Sequence, residues 1–357
     1  MDRDPTLREL APEHRLRRLE LAVTRRLDGL LHGQYQGLLP GSGSEFAGSR
    51  EYRPGEDEVR RMDWAVTART ALPHVREVDA DRELSTWLLV DATASMDFGT
   101  AELEKRELAV AAVAAVGFLT AGAGNRLGAY LLGGDGVRRF PARGGRQHLL
   151  SLLRALMAAP RGGTAGTAPA RATGPMPAAA RASGRMPTAG PAPMPASAPA
   201  LADALDALRR AVARRGLVVV VSDFLDGLPE RETGIPAWEV PLRRLAARHQ
   251  VLAVEVTDPR EWELPDVGVI TLVDPESGRR REVDSGDARL RQRYAEAAAA
   301  QREAVRRSLR RAGANHLPLR TDRDWTADIV RHVHAQRRLA GANRSRQPVH
   351  VGGGGGT

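Results

Sequence analysis

Three oxygen-bearing side chains, Asp91, Thr93 and Ser95, stand at alternate positions directly after the apolar run Leu88-Leu89-Val90. Such a run is typical of a strand buried on both faces, and residues 102–121 after it predict a helix. A loop between strand and helix lies at the carboxyl end of the strand, where open α/β sheets bind ligands. One carboxylate and two hydroxyls suit Mg²⁺, although the hydroxyls could instead only cap backbone amides.

This arrangement resembles the metal-ion-dependent adhesion site of von Willebrand factor A domains, whose first element is Asp-x-Ser-x-Ser. Thr93 replaces the first serine of that element and keeps its hydroxyl. Asp223 follows the apolar run 217–221 within Ser-Asp-Phe, and a doubly wound strand order would place it beside the strand that ends at Asp91. The resemblance implies that its carboxylate joins the site, together with a hydroxyl from a third loop. Thr164 of Gly-Gly-Thr is the candidate there, with Thr167 and Ser197 as alternatives. The implied Mg²⁺ ligands are Asp91, Thr93, Ser95, Thr164 and Asp223, some of the carboxylates acting through water.

A second set of motif residues precedes the first strand: Glu45, Phe46, Arg50, Tyr52, Pro54, Gly55, Asp57, Arg60, Asp63, Trp64, Ala68 and Arg69. In this order they resemble the MoxR-associated family called domain of unknown function 58. Two features depart from that pattern: Glu56 follows Gly55 where the family has aspartate, and one extra residue separates Gly55 from Asp63. The family pairs this signature with a von Willebrand factor A-like domain. The resemblance implies a bacterial protein whose partner is a MoxR-type AAA+ ATPase, acting in chaperone-like assembly or stress response.

From Leu84 onward strand and helix patterns alternate, which predicts a doubly wound, mostly parallel sheet. The predicted strands are 84–90, 127–132, 217–221, 251–256 and 316–319, with an antiparallel edge strand at 137–140 and a hairpin of 267–273 with 281–283. The predicted helices are 102–121, 201–212, 241–248, 288–312 and 325–339, and leucines at 149–156 mark a further helix face. This organisation assigns residues 1–83 to a family-specific region and 84–340 to the α/β domain. A Pro/Ala/Gly-rich insertion at 160–199 and a tail at 341–357 are predicted to be disordered.

Composition narrows the function classes. The 357 residues include no cysteine, which excludes disulfides and thiolate metal sites. The net charge of +9 is carried by arginine, since Lys105 is the only lysine. Nucleic-acid binding is not favoured, because the sequence has no basic stretch interleaved with aromatic residues. The uncharged stretch 108–124 is rich in alanine and glycine and shorter than a typical span of roughly 20 residues, so we expect a soluble, cytoplasmic protein without a membrane span.

Enzyme motifs are missing from the sequence. It contains neither the phosphate-binding Gly-x-x-x-x-Gly-Lys-Ser/Thr loop nor Gly-x-Ser-x-Gly, and Lys105 falls within a predicted helix. Thr93 stands where a haloacid-dehalogenase-type phosphatase would need a second aspartate. The leading hypothesis is therefore a non-enzymatic protein-interaction module. The alternatives are a metal-dependent phosphohydrolase using Asp91 and Asp223, or a basic regulatory protein that binds nucleic acid.

Overall fold

A computed structural model describes residue 17 and residues 46–52, 62–78, 85–101, 103–120, 125–161, 200–229, 234–273 and 279–345. The strands are β1 (Phe46–Glu51), β2 (His74–Val78), β3 (Ser85–Asp91), β4 (Arg126–Gly133), β5 (Gly136–Arg143), β6 (Leu217–Ser222), β7 (Gln250–Thr257), β8 (Val269–Val273), β9 (Arg280–Asp284) and β10 (Asn315–Arg320). The α-helices are α1 (Trp64–Thr70), α2 (Lys105–Thr120), α3 (Arg146–Met157), α4 (Leu201–Ala211), α5 (Glu239–Ala246), α6 (Ala288–Arg311) and α7 (Trp325–Ser345). Single 3₁₀ turns cover Ala94–Asp97 and Pro259–Glu261.

The centre of the fold is a six-stranded sheet in the order β10-β7-β6-β3-β4-β5. All neighbours in it run parallel except β5, which pairs antiparallel with β4 at the edge. The prediction of a doubly wound, mostly parallel sheet with an antiparallel edge strand is therefore confirmed. The predicted hairpin is also present, as the separate two-stranded sheet of β8 and β9.

Strand β3 is the point at which the direction of winding reverses. The chain passes from β3 to β4 on one side, and it later returns to place β6 on the other side of β3. Val90 of β3 lies opposite Val221 of β6 in parallel register. Because parallel strands end at the same edge of a sheet, the loops after β3 and β6 meet there, at the position where doubly wound folds bind ligands.

Helices cover both faces of the sheet, which explains the unbroken apolar runs in its central strands. On one face Leu88 and Val90 pack in a core shared with α2, α3 and α7. On the other face Trp87 and Leu89 pack in a core shared with α4, α5 and α6. The central strands are thereby fixed from both sides, and the loops at their carboxyl ends start from rigid supports.

The bounds of three helices differ from those predicted by two residues or more. Helix α5 spans Glu239–Ala246 instead of 241–248. Helix α2 begins at Lys105 instead of residue 102, and the side chain of Glu107 accepts a hydrogen bond from the amide of Glu104 at 2.9 Å, just before the helix. This later start puts Lys105 in the first turn, where it is wholly buried. Helix α7 continues to Ser345, so the part of the predicted disordered tail at 341–345 is helical.

The described part of the N-terminal region is an antiparallel pair of strands, β1 and β2, with α1 between them in sequence. Asp63 is buried at the N-terminus of α1, where its Oδ1 accepts hydrogen bonds from the amides of Ala65 and Val66. Its Oδ2 accepts one from Ser49 at 2.9 Å. The Asp-Trp of the family signature therefore begins a helix. The insertion from residue 162 to 199 and the tail from 346 lie outside the described residues.

In the part of the chain that the structure describes, each helix is too short or too polar to cross a membrane.

Candidate functional site

The loop after β3 folds back so that its three oxygen-bearing side chains meet. Asp91 Oδ1 accepts hydrogen bonds from the Thr93 hydroxyl at 2.6 Å and from the Thr93 amide at 3.0 Å. The hydroxyl oxygens of Thr93 and Ser95 lie 3.3 Å apart. Asp91 and Ser95 are almost fully buried, at 2% and 5% exposure. The spacing of two residues in the sequence thus becomes one compact group of hard oxygen donors.

The loop after β6 contributes two further polar side chains. Ser222 donates a hydrogen bond to the second carboxylate oxygen of Asp91 at 2.7 Å. Asp223, at 2% exposure, accepts a hydrogen bond from the amide of Leu225 at 3.1 Å, and a hydrogen bond from Ser95 lowers its pKa. The expectation that the loops after β3 and β6 meet is confirmed by these contacts.

Phe224 turns the chain sharply within this loop. Its φ of 56° is in the left-handed region, which costs a residue with a side chain about 1 kcal/mol or more. Its ring is wholly buried against that of Trp238, edge to face at 5.2 Å, and Trp238 Nε1 donates a hydrogen bond to the Phe224 carbonyl at 3.3 Å. This packing holds Phe224 in a strained conformation and so aims the neighbouring Asp223.

Lys105 brings a positive charge into the same crevice. Its side chain is wholly buried, and its ammonium lies 2.8 Å from Asp223 Oδ2 and 2.5 Å from Glu261 Oε1. Glu261 belongs to the 3₁₀ turn after β7, and its other oxygen accepts a hydrogen bond from the amide of Asp258. Lys105 therefore joins the first turn of α2 to the loops after β6 and β7.

The two aspartates differ in their electrostatics. Burial, and then the charge of Asp223, raise the pKa of Asp91 to about 6, although hydrogen bonds from Thr93 and Ser222 oppose the rise. Burial also acts to raise the pKa of Asp223, but the adjacent Lys105 ammonium outweighs it and holds that pKa below its usual value. Asp223 is thus the ionised partner of Lys105, while Asp91 has no cation in direct contact among the described contacts.

Glu261 shows that one ammonium does not balance this cluster. Burial raises the pKa of Glu261 to about 7, with Lys105 opposing the rise and Asp223 adding to it. The pKa of Lys105 is itself raised, because the two carboxylates outweigh its burial. Lys105 contacts two of the three carboxyl groups, those of Asp223 and Glu261, and Arg106 acts on Asp91 from a greater distance. A further cation in this crevice would favour the ionised forms of Asp91 and Glu261.

Arg106 fixes the loop after β3 to the end of α3. Its guanidinium donates hydrogen bonds to the carbonyls of Ala92 at 2.9 Å and Ala159 at 2.8 Å, and its Nε lies 2.6 Å from a carboxylate oxygen of Asp97. It also donates to the Pro160 carbonyl at 3.2 Å. The chain therefore leaves α3, towards residue 164, from a point anchored beside the loop that carries Asp91.

Of the five predicted metal ligands, the structure brings together Asp91, Thr93, Ser95 and Asp223. Thr164 and its alternatives Thr167 and Ser197 lie outside the described residues. No three His, Cys, Asp or Glu side chains in the described ranges form a metal-binding group, so an ion in this crevice would depend on the hydroxyls of Thr93 and Ser95 as well as on carboxylates. The buried hydroxyl of Ser95 and the half-buried one of Thr93, beside a carboxylate of raised pKa, are a donor set that fits Mg²⁺.

Sequence reasoning did not assign roles to Lys105, Glu261, Ser222 or Arg106. Lys105 and Asp223 are 118 positions apart and Lys105 and Glu261 are 156 apart, so no local pattern links them. One signal was available for Lys105, because a lone lysine in an arginine-rich chain marks a position where the two residues are not interchangeable. Ser222 was visible only as part of Ser-Asp-Phe.

Replacement of Asp91 by asparagine is expected to stabilise the protein at pH 7.5 in EDTA by about 3 kcal/mol, because ionising a buried carboxyl with a pKa near 6 is costly. Asparagine keeps an acceptor for Thr93, and its amide can donate to the Ser222 hydroxyl. The raised pKa means that the folded state binds the proton more tightly. Wild-type stability from this group is therefore lost as pH rises from 3.8 to about 6.

Urea unfolding of wild type and Asp91→Asn at pH 4 and pH 7.5 measures this effect. The advantage of the variant should be large at pH 7.5 and small at pH 4. A variant that is less stable than wild type by the same amount at both pH values would show that the carboxylate is not under charge strain.

Comparison with known proteins agrees with the signature around Asp63. A family model described as "Protein of unknown function DUF58" matches residues 48–304. The chain belongs to the DUF58 family. Among its DUF58 relatives, the uncharacterized protein Rv1480 of Mycobacterium tuberculosis is 53% identical over 325 residues, which cover 91% of this chain and 90% of the relative. The uncharacterized protein MAV169 of Mycobacterium avium is 44% identical over 208 residues, 58% of this chain and 99% of the relative.

Two solved structures resemble this DUF58 chain at low similarity. One is BatB, a conserved hypothetical protein from Bacteroides thetaiotaomicron, at 12% identity and a TM-score of 0.35, covering 71% of this chain and 99% of that chain. The other is the VWA domain of SpRpn10, at 10% identity and a TM-score of 0.32, covering 70% and 94%. The fold assignment rests on the order and direction of the strands in the sheet itself.

The family-signature residues lie apart from the crevice in the sequence, and the described ones belong to the N-terminal unit. The amide of Tyr52 bonds to the Pro73 carbonyl at 2.8 Å, and Arg50 lies in β1 opposite Val75. Trp64 is 66% exposed, and Arg69 bonds through Nε to the Ala65 carbonyl. Gly55, Asp57 and Arg60 lie outside the described residues.

Proposed function

We propose that this DUF58 protein is a non-enzymatic protein-interaction module whose contact point is a Mg²⁺ ion held at the carboxyl ends of β3 and β6. The observation that carries the proposal is the meeting of Asp91, Thr93, Ser95 and Asp223 in one buried crevice. Hydroxyls beside a carboxylate whose charge is poorly compensated are donors that a hard divalent cation satisfies. This is also the place where the resemblance to the metal-ion-dependent adhesion site puts the ion.

The proposed ligands are Asp91, Thr93 and Ser95, with Thr164 supplying a hydroxyl and Asp223 acting through water. Pro160, whose carbonyl accepts a hydrogen bond from Arg106, precedes Thr164 by four positions in the sequence. A Mg²⁺ ion bound mainly by neutral hydroxyls stays electrophilic and can accept a carboxylate from a partner protein.

The proposed partner is a MoxR-type AAA+ ATPase, in chaperone-like assembly or stress response. This part rests on the family resemblance together with the character of the site, which offers a cation for a carboxylate and no reaction centre. The alternative of a phosphohydrolase finds no support in the geometry. Asp223, one of the two aspartates that such an enzyme would use, is paired with Lys105.

A pull-down with the purified ATPase in MgCl₂ or EDTA tests the proposal. Wild type should capture the ATPase in MgCl₂ and lose it in EDTA, while Asp91→Asn and Ser95→Ala should fail in both buffers, because the first removes the negative charge that attracts the ion and the second removes a hydroxyl ligand. The matched controls are Asp135→Ala, on the exposed turn between β4 and β5, and Ser151→Ala, on the exposed side of α3. Both controls should bind as wild type does.

Melting curves of every variant separate loss of the contact from loss of the fold. In EDTA both variants should melt cooperatively, Ser95→Ala near the wild-type temperature and Asp91→Asn several degrees above it, because the variant carries no strained carboxylate. Capture of the ATPase by Asp91→Asn in EDTA, at the level that wild type reaches in MgCl₂, would rule out an ion-bridged contact.

A further inference from the structure

Lys105 is the most unusual charged residue of the fold. Lysine is almost never fully buried unless it is paired, and here it is wholly buried between two carboxylates. It is also the only lysine of the chain, in which every other cationic side chain of the Lys/Arg type is arginine. A compact ammonium fits between two converging oxygens at 2.5 and 2.8 Å, whereas a planar guanidinium needs a wider fork.

The ammonium also occupies the carboxylate that the adhesion-site pattern would offer to the ion. Asp223 Oδ2 is bonded to Lys105 Nζ, and Asp223 Oδ1 accepts the hydrogen bond from the Leu225 amide. Asp223 is therefore held in a charged pair inside the protein, which the equally hydrogen-bonded Asp91 is not. Asp91 is not in contact with the ammonium and is hydrogen-bonded to the Thr93 hydroxyl, which lies 3.3 Å from that of Ser95.

We infer that Lys105 is a resident cation of this crevice, which withholds Asp223 and Glu261 from a divalent ion and limits its direct ligands to Asp91 and the hydroxyls around it. The inference rests on the proposed function for the location of the ion, and it adds what sets the strength of binding. With Asp223 neutralised, the crevice is stable without a metal and binds one weakly. Weak binding suits an ion whose remaining position is completed by a partner.

The decisive variant is Lys105→Met combined with Glu261→Gln. It removes one positive and one negative charge, so the net charge of the crevice is unchanged while Asp223 is released. The inference expects Mg²⁺ and Mn²⁺ to bind roughly tenfold more tightly than to wild type, because a carboxylate becomes available as a ligand. Isothermal titration with MgCl₂ and MnCl₂ measures both affinities. If only the net charge of the crevice determined binding, neither affinity would change.

Stability gives a second readout that does not depend on binding heat. In EDTA the double variant should melt below wild type, because Asp91 and Asp223 then face each other without a cation. Saturating MgCl₂ should restore most of the loss, while the wild-type melting temperature should move little. If the variant is unfolded in EDTA, MgCl₂ must fold it. Failure to gain stability or folding in MgCl₂ would contradict the inference.

A third substitution, Asp223→Asn in the same background, identifies the released ligand. The triple variant should lose the tenfold gain and the rescue by MgCl₂, and it should fold in EDTA because the repelling pair is gone. A gain that survives Asp223→Asn would overturn the inference. Absence of ion binding by wild type together with tight binding by the double variant would support the resident cation and reject the proposed Mg²⁺ contact, so the two claims can fail separately.

Discussion

Replacement of Asp258 by alanine is expected to destabilise the protein by roughly 3–5 kcal/mol, because it removes a buried carboxylate that accepts four hydrogen bonds. Asp258 is wholly buried directly after β7. Its two carboxylate oxygens accept hydrogen bonds from the amide and hydroxyl of Thr100, at 2.9 and 2.6 Å, and from the hydroxyl of Thr321 at 2.7 Å. A fourth bond comes from the amide of Arg260 at 3.0 Å.

These bonds tie together three loops at the carboxyl edge of the sheet. Thr100 belongs to the connection from Ser95 to α2, Asp258 to the loop after β7, and Thr321 to the loop after β10. Alanine at 258 leaves the buried hydroxyl of Thr321 without this acceptor and removes both bonds that hold the exposed Thr100. The loss should therefore loosen the loop that carries Ser95 as well as lower global stability.

Asp322→Ala is the matched control for Asp258→Ala, since it removes an aspartate from the same edge that pairs only with Arg320 at the surface. Its cost should be about 0–1 kcal/mol. Asp258→Asn should lie between the two, because it keeps the shape and part of the acceptor set. Urea unfolding of the three variants measures these differences in stability. If Asp258→Ala is as stable as Asp322→Ala, the hydrogen bonds around Asp258 are redundant.

The sheet and the meeting of Asp91 with Asp223 followed from the sequence for a simple physical reason. The runs 88–90 and 218–221 lack polar residues because both faces of β3 and β6 are covered, and that property is written locally in the chain. Since buried parallel strands end at a common edge, two aspartates that each follow such a run were expected to be neighbours.

No local sequence pattern predicted the cationic side chains of the site. Lys105 and Arg106 read as ordinary polar residues near a helix start, and their burial depends on partners contributed by distant loops. Asp223 and Glu261 reach Lys105 from 118 and 156 positions away, and the Ala159 carbonyl reaches Arg106 from 53 positions away. Long-range pairing of this kind is decided by packing, which composition and periodicity do not encode.

Replacement of Trp238 by alanine is expected to lower stability by roughly 3–5 kcal/mol, the usual cost of removing a large aromatic ring from a close-packed core. Trp238 is wholly buried and is the largest side chain of that kind among the described residues. Trp64→Ala is the matched control, because Trp64 is 66% exposed and its loss should change stability by less than about 0.5 kcal/mol. Urea unfolding followed by far-UV circular dichroism measures both variants without relying on tryptophan fluorescence.

The same substitution should also reach the crevice, which separates it from an ordinary core defect. Without the indole ring and its hydrogen bond to the Phe224 carbonyl, nothing of equal size holds Phe224 at its φ of 56°, and the strained turn can relax. Relaxation moves Asp223 away from Lys105, so the pKa of Asp223 should rise towards its ordinary value.

Trp238→Phe keeps a ring against Phe224 and should retain most of the effect of the wild-type residue on Asp223. The pKa of Asp223, measured by carboxyl carbon NMR titration, should therefore change in Trp238→Ala and change little in Trp238→Phe and Trp64→Ala. An unchanged Asp223 pKa in a destabilised Trp238→Ala would mean that Lys105 alone positions this carboxylate.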